Sequence, residues 1–185
     1  NRNRENTGKD DTASHGWIHK ALVEARLKNS EAVYDILNLL VHSDIFYTSL
    51  FTDHNTNRAK GVACTDTLFG IAGIVNEMLV YSDRSTIELF PALSSRIPKG
   101  KVCGLMTRAG VRIDSLEWCI NIGTEGLKTD MKDGFYIELK ITALRDTEFG
   151  LILKNENFNE MSKEDKSLFN QNIKLKSGEE YAILL

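Results

Sequence analysis

Thr65-Asp66-Thr67-Leu68-Phe69-Gly70-Ile71-Ala72-Gly73-Ile74-Val75-Asn76-Glu77-Met78-Leu79 is the stretch on which the fold turns. Its apolar residues recur at helical spacing and spread almost all round the axis. That predicts a helix from about Thr67 to Tyr81, buried on most sides. Upstream, Ser14 stands as an N-cap before Trp17–Leu27, where residues 18, 21, 22 and 25 form one apolar face. Asn29-Ser30 breaks that helix, with Ser30 as the next cap. Ala32, Val33, Ile36, Leu37, Leu39 and Leu40 then make a second amphipathic helix. So short a break favours an antiparallel helical hairpin. Residues 44–65 read as a long connection, rich in Asn, Thr and Asp at 52–57, and connections of that length are often functional. Three helices this apolar do not close a layer by themselves, so either the chain is a fragment or its second half covers the gap.

Downstream the period changes to two. Thr86–Phe90, Lys101–Arg108, Val111–Trp118, Cys119–Ile122, Phe135–Thr142, Phe149–Lys154, Asn172–Lys176 and Tyr181–Leu184 read as short strands. Asp133-Gly134 and Ser177-Gly178-Glu179 read as hairpin turns. Residues 157–169 form a polar insertion with room for one helical turn. The fold class is therefore α+β, a helical segment over 1–84 followed by a small antiparallel β-sandwich over 85–185.

Composition excludes several functions. The 185 residues are 42% hydrophobic and 26% charged, which suits neither a disordered nor a fibrous chain. The net charge of −3, with basic residues scattered, offers no field for nucleic acid. No apolar run reaches the roughly 18–20 residues of a membrane span. Cys64, Cys103 and Cys119 are an odd count without C-x-x-C spacing, against a disulfide framework or a structural zinc site. There is no Gly-rich phosphate loop and no G-x-S-x-G elbow, and no cofactor or metal is expected. The opening Asn1-Arg2-Asn3-Arg4-Glu5-Asn6 lacks Met and reads like the middle of something longer, so the compartment is not legible.

A few residues could carry chemistry. His15 and His19 lie one helical turn apart, but without the Glu of H-E-x-x-H they read as surface or capping histidines before a metal site. His42 ends a helix, where a cation suits the dipole. His54, in the polar connection, stands out by location. Asp66 precedes the apolar helix; local pattern favours a helix cap, while a carboxylate there could instead activate a water. Glu77, mid-helix among apolar residues, is expected to be partnered or at an edge, and not catalytic. Trp17 and Trp118 could stack on a sugar, but each also suits a core.

The ordered motifs resemble the C-terminal region of glycoside hydrolase family 95, the inverting α-L-fucosidases and relatives. Thr65–Gly70 and Ile71–Leu79 are similar to the family's D-G-N-F-G and A-G-I-x-E-M-L stretches. Ile87–Leu93 resembles its L-L-P-A-L-P segment, and Pro98–Leu105 with Arg108-Ala109-Gly110 resembles its P-x-G-x-V-x-G-L-x-x-R-G-G run. Val111–Trp118 is similar to its strand ending in E-W, Leu175–Tyr181 to its final hairpin. His15-Gly16-Trp17 and Ala25-Arg26-Leu27 resemble its T-G-W and W-A-R-L helix. The sequence departs at Thr67-Leu68, where the family has Gly-Asn, and at Cys64, where it has Gln.

The resemblance implies the last helices of an (α/α)6 barrel followed by a β domain. It implies a parent that removes terminal α-L-fucose or L-galactose from a glycan with inversion, this chain alone being inactive. Asp66 would be the base-side carboxylate, acting with upstream asparagines, and the general acid would be a Glu on earlier barrel helices. His15, His54 and Trp17 would contact the sugar. The alternative is a catalytically decayed homologue serving as a structural or carbohydrate-binding module. Apolar faces uncovered by missing helices would drive self-association.

Overall fold

Three helices form where the apolar spacing places them: α1 over Ser14–Arg26, α2 over Ser30–His42 and α3 over Thr65–Leu79. They are seen in a computed structural model that describes residues 13–43, 45–47, 51–54, 62–120 and 135–185. The chain divides into two compact units, Asn1–Met78 and Leu79–Leu185.

In the first unit, Trp17, Ile18, Ala21 and Ala25 of α1 and Val33, Ile36 and Leu40 of α2 are buried. Lys28, at φ 60, ends α1 in the left-handed region, and the next residue caps α2: Asn29 Oδ1 accepts from the Ala32 N–H at 3.3 Å. The cap thus falls one residue before Ser30, which is buried in the first turn. Ser14 is likewise the first residue inside α1, behind Ala13, and its hydroxyl is used elsewhere. At Gly70, α3 comes so close to α1 that a Cβ would lie 2.3 Å from Ile18 Cγ2. The opposite side of α3 is less covered than its composition suggests. Thr65, Asp66, Phe69, Ala72 and Asn76 are exposed, Phe69 by 73%. Apolar residues all round a helix bury only where another element lies over them, and among the described residues none covers that face.

In the second unit, β1 (Val80–Ser82) starts where the helical period still runs. It pairs antiparallel with β2 (Thr86–Leu89), Tyr81 facing Glu88. The expected strand over Lys101–Arg108 is two, β3 (Lys99–Val102) and β4 (Leu105–Met106), parted at Gly104 with φ 75. The candidates Val111–Trp118 and Cys119–Ile122 are, as far as Ile120, one long strand, β5 (Val111–Ile120), and residues 121–122 lie outside the described residues. Then come β6 (Phe135–Ala143), β7 (Thr147–Leu153), β8 (Gln171–Leu175) and β9 (Glu180–Leu184). One sheet runs β1-β2-β7-β8; the other runs β3-β5-β6-β9, with β4 also on β5.

Two expectations need correction. β2 and β7 pair in parallel, Thr86 with Gly150 through Leu89 with Leu153, so the sheets are not purely antiparallel. A parallel pair needs a long crossover, and the chain from β3 to β6 supplies it. Ser177-Gly178-Glu179 does turn, with Gly178 at φ 82, but it joins strands of different sheets, because β8 pairs with β7 and β9 with β6. Asp133-Gly134 lies outside the described residues.

Alternate residues of both sheets are buried, among them Ile113, Leu116, Ile137, Leu139, Phe149 and Leu151. On β5 this alternation survives only because of a bulge between Ile113 and Ser115. The extra residue lets Ile113 and Leu116 both face inward and leaves Asp114 on the outer face. The polar insertion holds a 3₁₀ turn at Glu156–Phe158 and a short helix α4 (Lys163–Leu168), and it buries Phe158, Met161 and Phe169.

Phe90 anchors this core, its ring 5.4 Å from those of Trp118 and Phe158. Its backbone is left-handed, φ 54. Asn155 holds it there, donating from Nδ2 to the carbonyls of Phe90 (2.7 Å) and Leu93 (3.0 Å). Trp118 is core, its Nε1 donating to Ile97 O at 3.1 Å. It faces Gly100 across the strands, where a Cβ would lie 2.4 Å from the indole carbons. Gly100→Ala is therefore expected to destabilise the protein by about 1–3 kcal/mol and to shift the Trp118 emission. Urea unfolding followed by fluorescence checks it. Gly73→Ala, with nothing within 4 Å of its Cβ, is expected to stabilise by about 0.5–1 kcal/mol, the opposite sign.

Candidate active site

Ser14 fastens the polar connection to the start of α1. Its N–H donates to His54 O (2.7 Å) and its hydroxyl to Asp53 O (2.7 Å). Thr67 Oγ1, in the first turn of α3, lies 2.6 Å from Ser14 Oγ and 3.2 Å from Cys64 Sγ. A buried run of hydroxyls thus ties the start of α1, the start of α3 and the 52–54 segment together. The segment is further held by short antiparallel bridges, Phe46 with Thr52 and Asp53 with Ala63, and by the Thr52 hydroxyl donating to Cys64 O. This is why Ser14 does not cap its own helix: its hydroxyl satisfies a distant carbonyl that burial would leave unpaired.

The fastening brings the sequence-predicted histidines together. The His15 and His54 rings lie 4.9 Å apart, centroid to centroid, and His19 lies 6.0 Å from His15. His15 and His54 are half-buried and His19 is exposed. Asp66 is the second residue of α3, next to Thr67, as His15 is next to Ser14; the Ser14–Thr67 contact therefore joins the two helix starts that carry Asp66 and His15. The Asp66 side chain is exposed. It sits inside the first turn and not at the cap, where a carboxylate still suits the positive end of the dipole. Trp17 is 6% exposed, with Lys20 Nζ 5.7 Å from its ring centre, so its indole face is covered. Glu77 is partnered as expected, Oε1 accepting from Arg26 Nη2 at 2.8 Å.

The sequence reading passed over Asp53. It is fully buried, and its Oδ2 accepts from the Tyr47 hydroxyl at 2.6 Å. Its neighbour His54 drew notice by location, and the same polar run was the only signal for Asp53. Among the described residues, no three His, Cys, Asp or Glu side chains are placed to hold a metal ion. Among the described residues, no helix is long and apolar enough to cross a membrane. The arrangement offers an exposed carboxylate that can take a proton and two adjacent imidazoles that can donate to or accept from hydroxyl groups.

No family model matches the chain. It is similar to alpha-L-fucosidase 2 of Arabidopsis thaliana, 36% identical over 116 residues, a match covering 56% of this chain. The chain spans 13% of the length of that protein.

Proposed function

We propose, with likeness to an α-L-fucosidase as the premise, that the chain is part of a longer glycoside hydrolase of the family 95 type. The parent releases terminal α-L-fucose, or L-galactose, with inversion. Asp66 takes the proton of the attacking water, and His15 and His54 bind sugar hydroxyls. Trp17, being covered, supports α1 behind His15 and does not itself touch the sugar. The observation that carries this reading is the Ser14–Thr67 fastening, which sets the starts of α1 and α3 side by side with His54 against His15. The three helices belong to the end of an (α/α)6 barrel, and the β unit is the domain that follows it.

Inversion needs an acid and a base about 6.5–9.5 Å apart on opposite sides of the bond, and the acid belongs to the parent's other helices. The test is hydrolysis of an aryl α-L-fucoside. The parent is expected to turn it over with the inverted anomer as first product, and the 185-residue chain alone is expected not to. Turnover by the chain alone, or a retained anomer from the parent, overturns the reading. A parent inactive on fucosides and L-galactosides, yet binding glycan, favours the decayed module.

The chain alone is also expected to self-associate. Leu27 is 71% exposed, and Val23, Val41 and Phe69 are exposed with it, more apolar surface than one small helical unit keeps free without a partner. Light scattering over a concentration series checks this; a monomer at every concentration counts against it.

A further inference from the structure

The outer face of the five-stranded sheet carries a cavity of 360 Å³, lined by Arg112, Asp114, Lys140, Thr142, Glu180 and Tyr181 over Ala182. We propose that this cavity on β5, β6 and β9 binds a neutral saccharide, as a second sugar site beside the one that does chemistry. The saccharide class rests on the glycosidase reading; the site itself rests on geometry. Its volume falls in the range of about 300–1,000 Å³ found for small-molecule sites.

The lining is mixed and its charges cancel: two cations, Arg112 and Lys140, against two carboxylates, Asp114 and Glu180. A phosphate or sulfate would want a surplus of positive charge, and an oligocation the reverse. A sugar hydroxyl donates one hydrogen bond and accepts others, so it wants donors and acceptors alternating round one small space. The β5 bulge builds that arrangement. It sets Asp114 on the outer face, where Oδ1 accepts from Arg112 Nε and Oδ2 from the Thr142 hydroxyl at 2.6 Å. Those bonds, Thr142 first, hold the Asp114 carboxyl below the usual range, so it stays an ionised acceptor. Arg112, clamped through Nε, keeps its two terminal NH₂ groups for a ligand. Lys140 Nζ is braced at 2.7 Å by Glu138 Oε1 and has further protons to give. Directly across from Lys140, the Ser115 hydroxyl is buried without a hydrogen-bond partner. The side chain of Ala182 is small enough for a ring to approach the strands. Tyr181 borders the space by its place on β9, while its side chain shares the inward face with Ile141 and its hydroxyl accepts from Gln171 Nε2 at 3.1 Å.

The experiment is a titration of the ¹⁵N-labelled 185-residue chain with a fucosylated lactose trisaccharide. Saturable shifts are expected in the amides of residues 112–115, 140–142 and 180–182, with a Kd of about 1 mM. Arg112→Ala with Glu180→Ala, both exposed positions, is expected to weaken binding at least tenfold with the circular dichroism unchanged. Glu180→Gln alone, equal in shape, is expected to weaken it severalfold, and it keeps the test alive should the double variant misfold. Absence of shifts at about 20 mM sugar overturns the proposal. So do shifts confined to the helical unit, and shifts in the patch that survive all these substitutions. The readout needs no turnover: an inactive parent leaves a positive titration standing, and a negative titration leaves the hydrolase reading standing.

Discussion

Asp66→Asn in the full-length parent is expected to lower kcat by about 10²–10⁴-fold while the melting temperature stays where it was. The structure makes this a clean substitution. Asp66 is exposed on the first turn of α3, and the buried contacts of that turn belong to Thr67, which reaches Ser14 and Cys64. Asparagine keeps the shape and much of the favourable interaction with the helix start, so stability has little to lose. It cannot accept the proton of an attacking water, so chemistry has much to lose. Steady-state kinetics beside a thermal melt separate the two. Unchanged turnover with an unchanged melt removes Asp66 from the mechanism and moves the reading to the decayed homologue. A lower melting temperature with turnover intact returns Asp66 to a helix-start role.

Asn155→Ala is expected to destabilise the β unit by about 2–4 kcal/mol, because it strips donors from buried carbonyls beside a strained residue. Leu93 O keeps a short second donor, Asn157 Nδ2 at 2.7 Å, whereas Phe90 O keeps a long one, the Leu93 N–H at 3.5 Å, in place of the 2.7 Å bond from Asn155. Phe90 sits at φ 54, a conformation an aromatic residue holds only when its surroundings insist. At this chain length the loss corresponds to a fall in melting temperature of about 5–15 °C. Asn155→Asp sharpens the test: it keeps the volume and the oxygen that accepts from the Asn157 N–H, yet has no donor for Phe90 O. The carboxylate then faces two carbonyl oxygens, so a loss at least as large as alanine's is expected, and a loss near zero overturns the role given to the donated bonds.

Local signals account for much of the fold. The three- and four-residue spacing placed all three helices within a few residues, and alternation found the strands of the second half. What local signals missed is non-local. Tyr81 continues a helical period and becomes strand because Glu88 waits across from it. Val111–Trp118 and Cys119–Ile122 read as two strands, yet the pairing of β5 with β6 runs across the Trp118–Cys119 boundary without a break, from Ser115 opposite Lys140 to Ile120 opposite Phe135. The parallel partner of β2 is beyond any window. Phe69 looked like core because its neighbours are apolar, yet exposure depends on what lies opposite. The candidate site divides the same way. Asp66, His15 and His54 were legible as residue types at telling positions. That His54 lies against His15 depends on hydrogen bonds from Ser14 to residues 53 and 54, far along the chain. Asp53 was illegible because burial, not its place in a polar run, is what makes it unusual.

The parallel pairing of β2 with β7 also sets an order of events in folding. The antiparallel pairs β5–β6 and β7–β8 close over stretches that lie between their own strands. The β2–β7 ladder instead has to wait for everything from β3 to β6 to be gathered in, because the loop it closes contains them. Closure of so long a loop is entropically slow, and its reward comes late. Pulse-labelling hydrogen exchange should find the β5–β6 amides protected before those of β2, and the reverse order would contradict this. Until that last ladder forms, β7 presents one unpaired edge, so the nascent β unit passes through a stage in which aggregation competes with completion, and the slowest step is the one that ends the exposure.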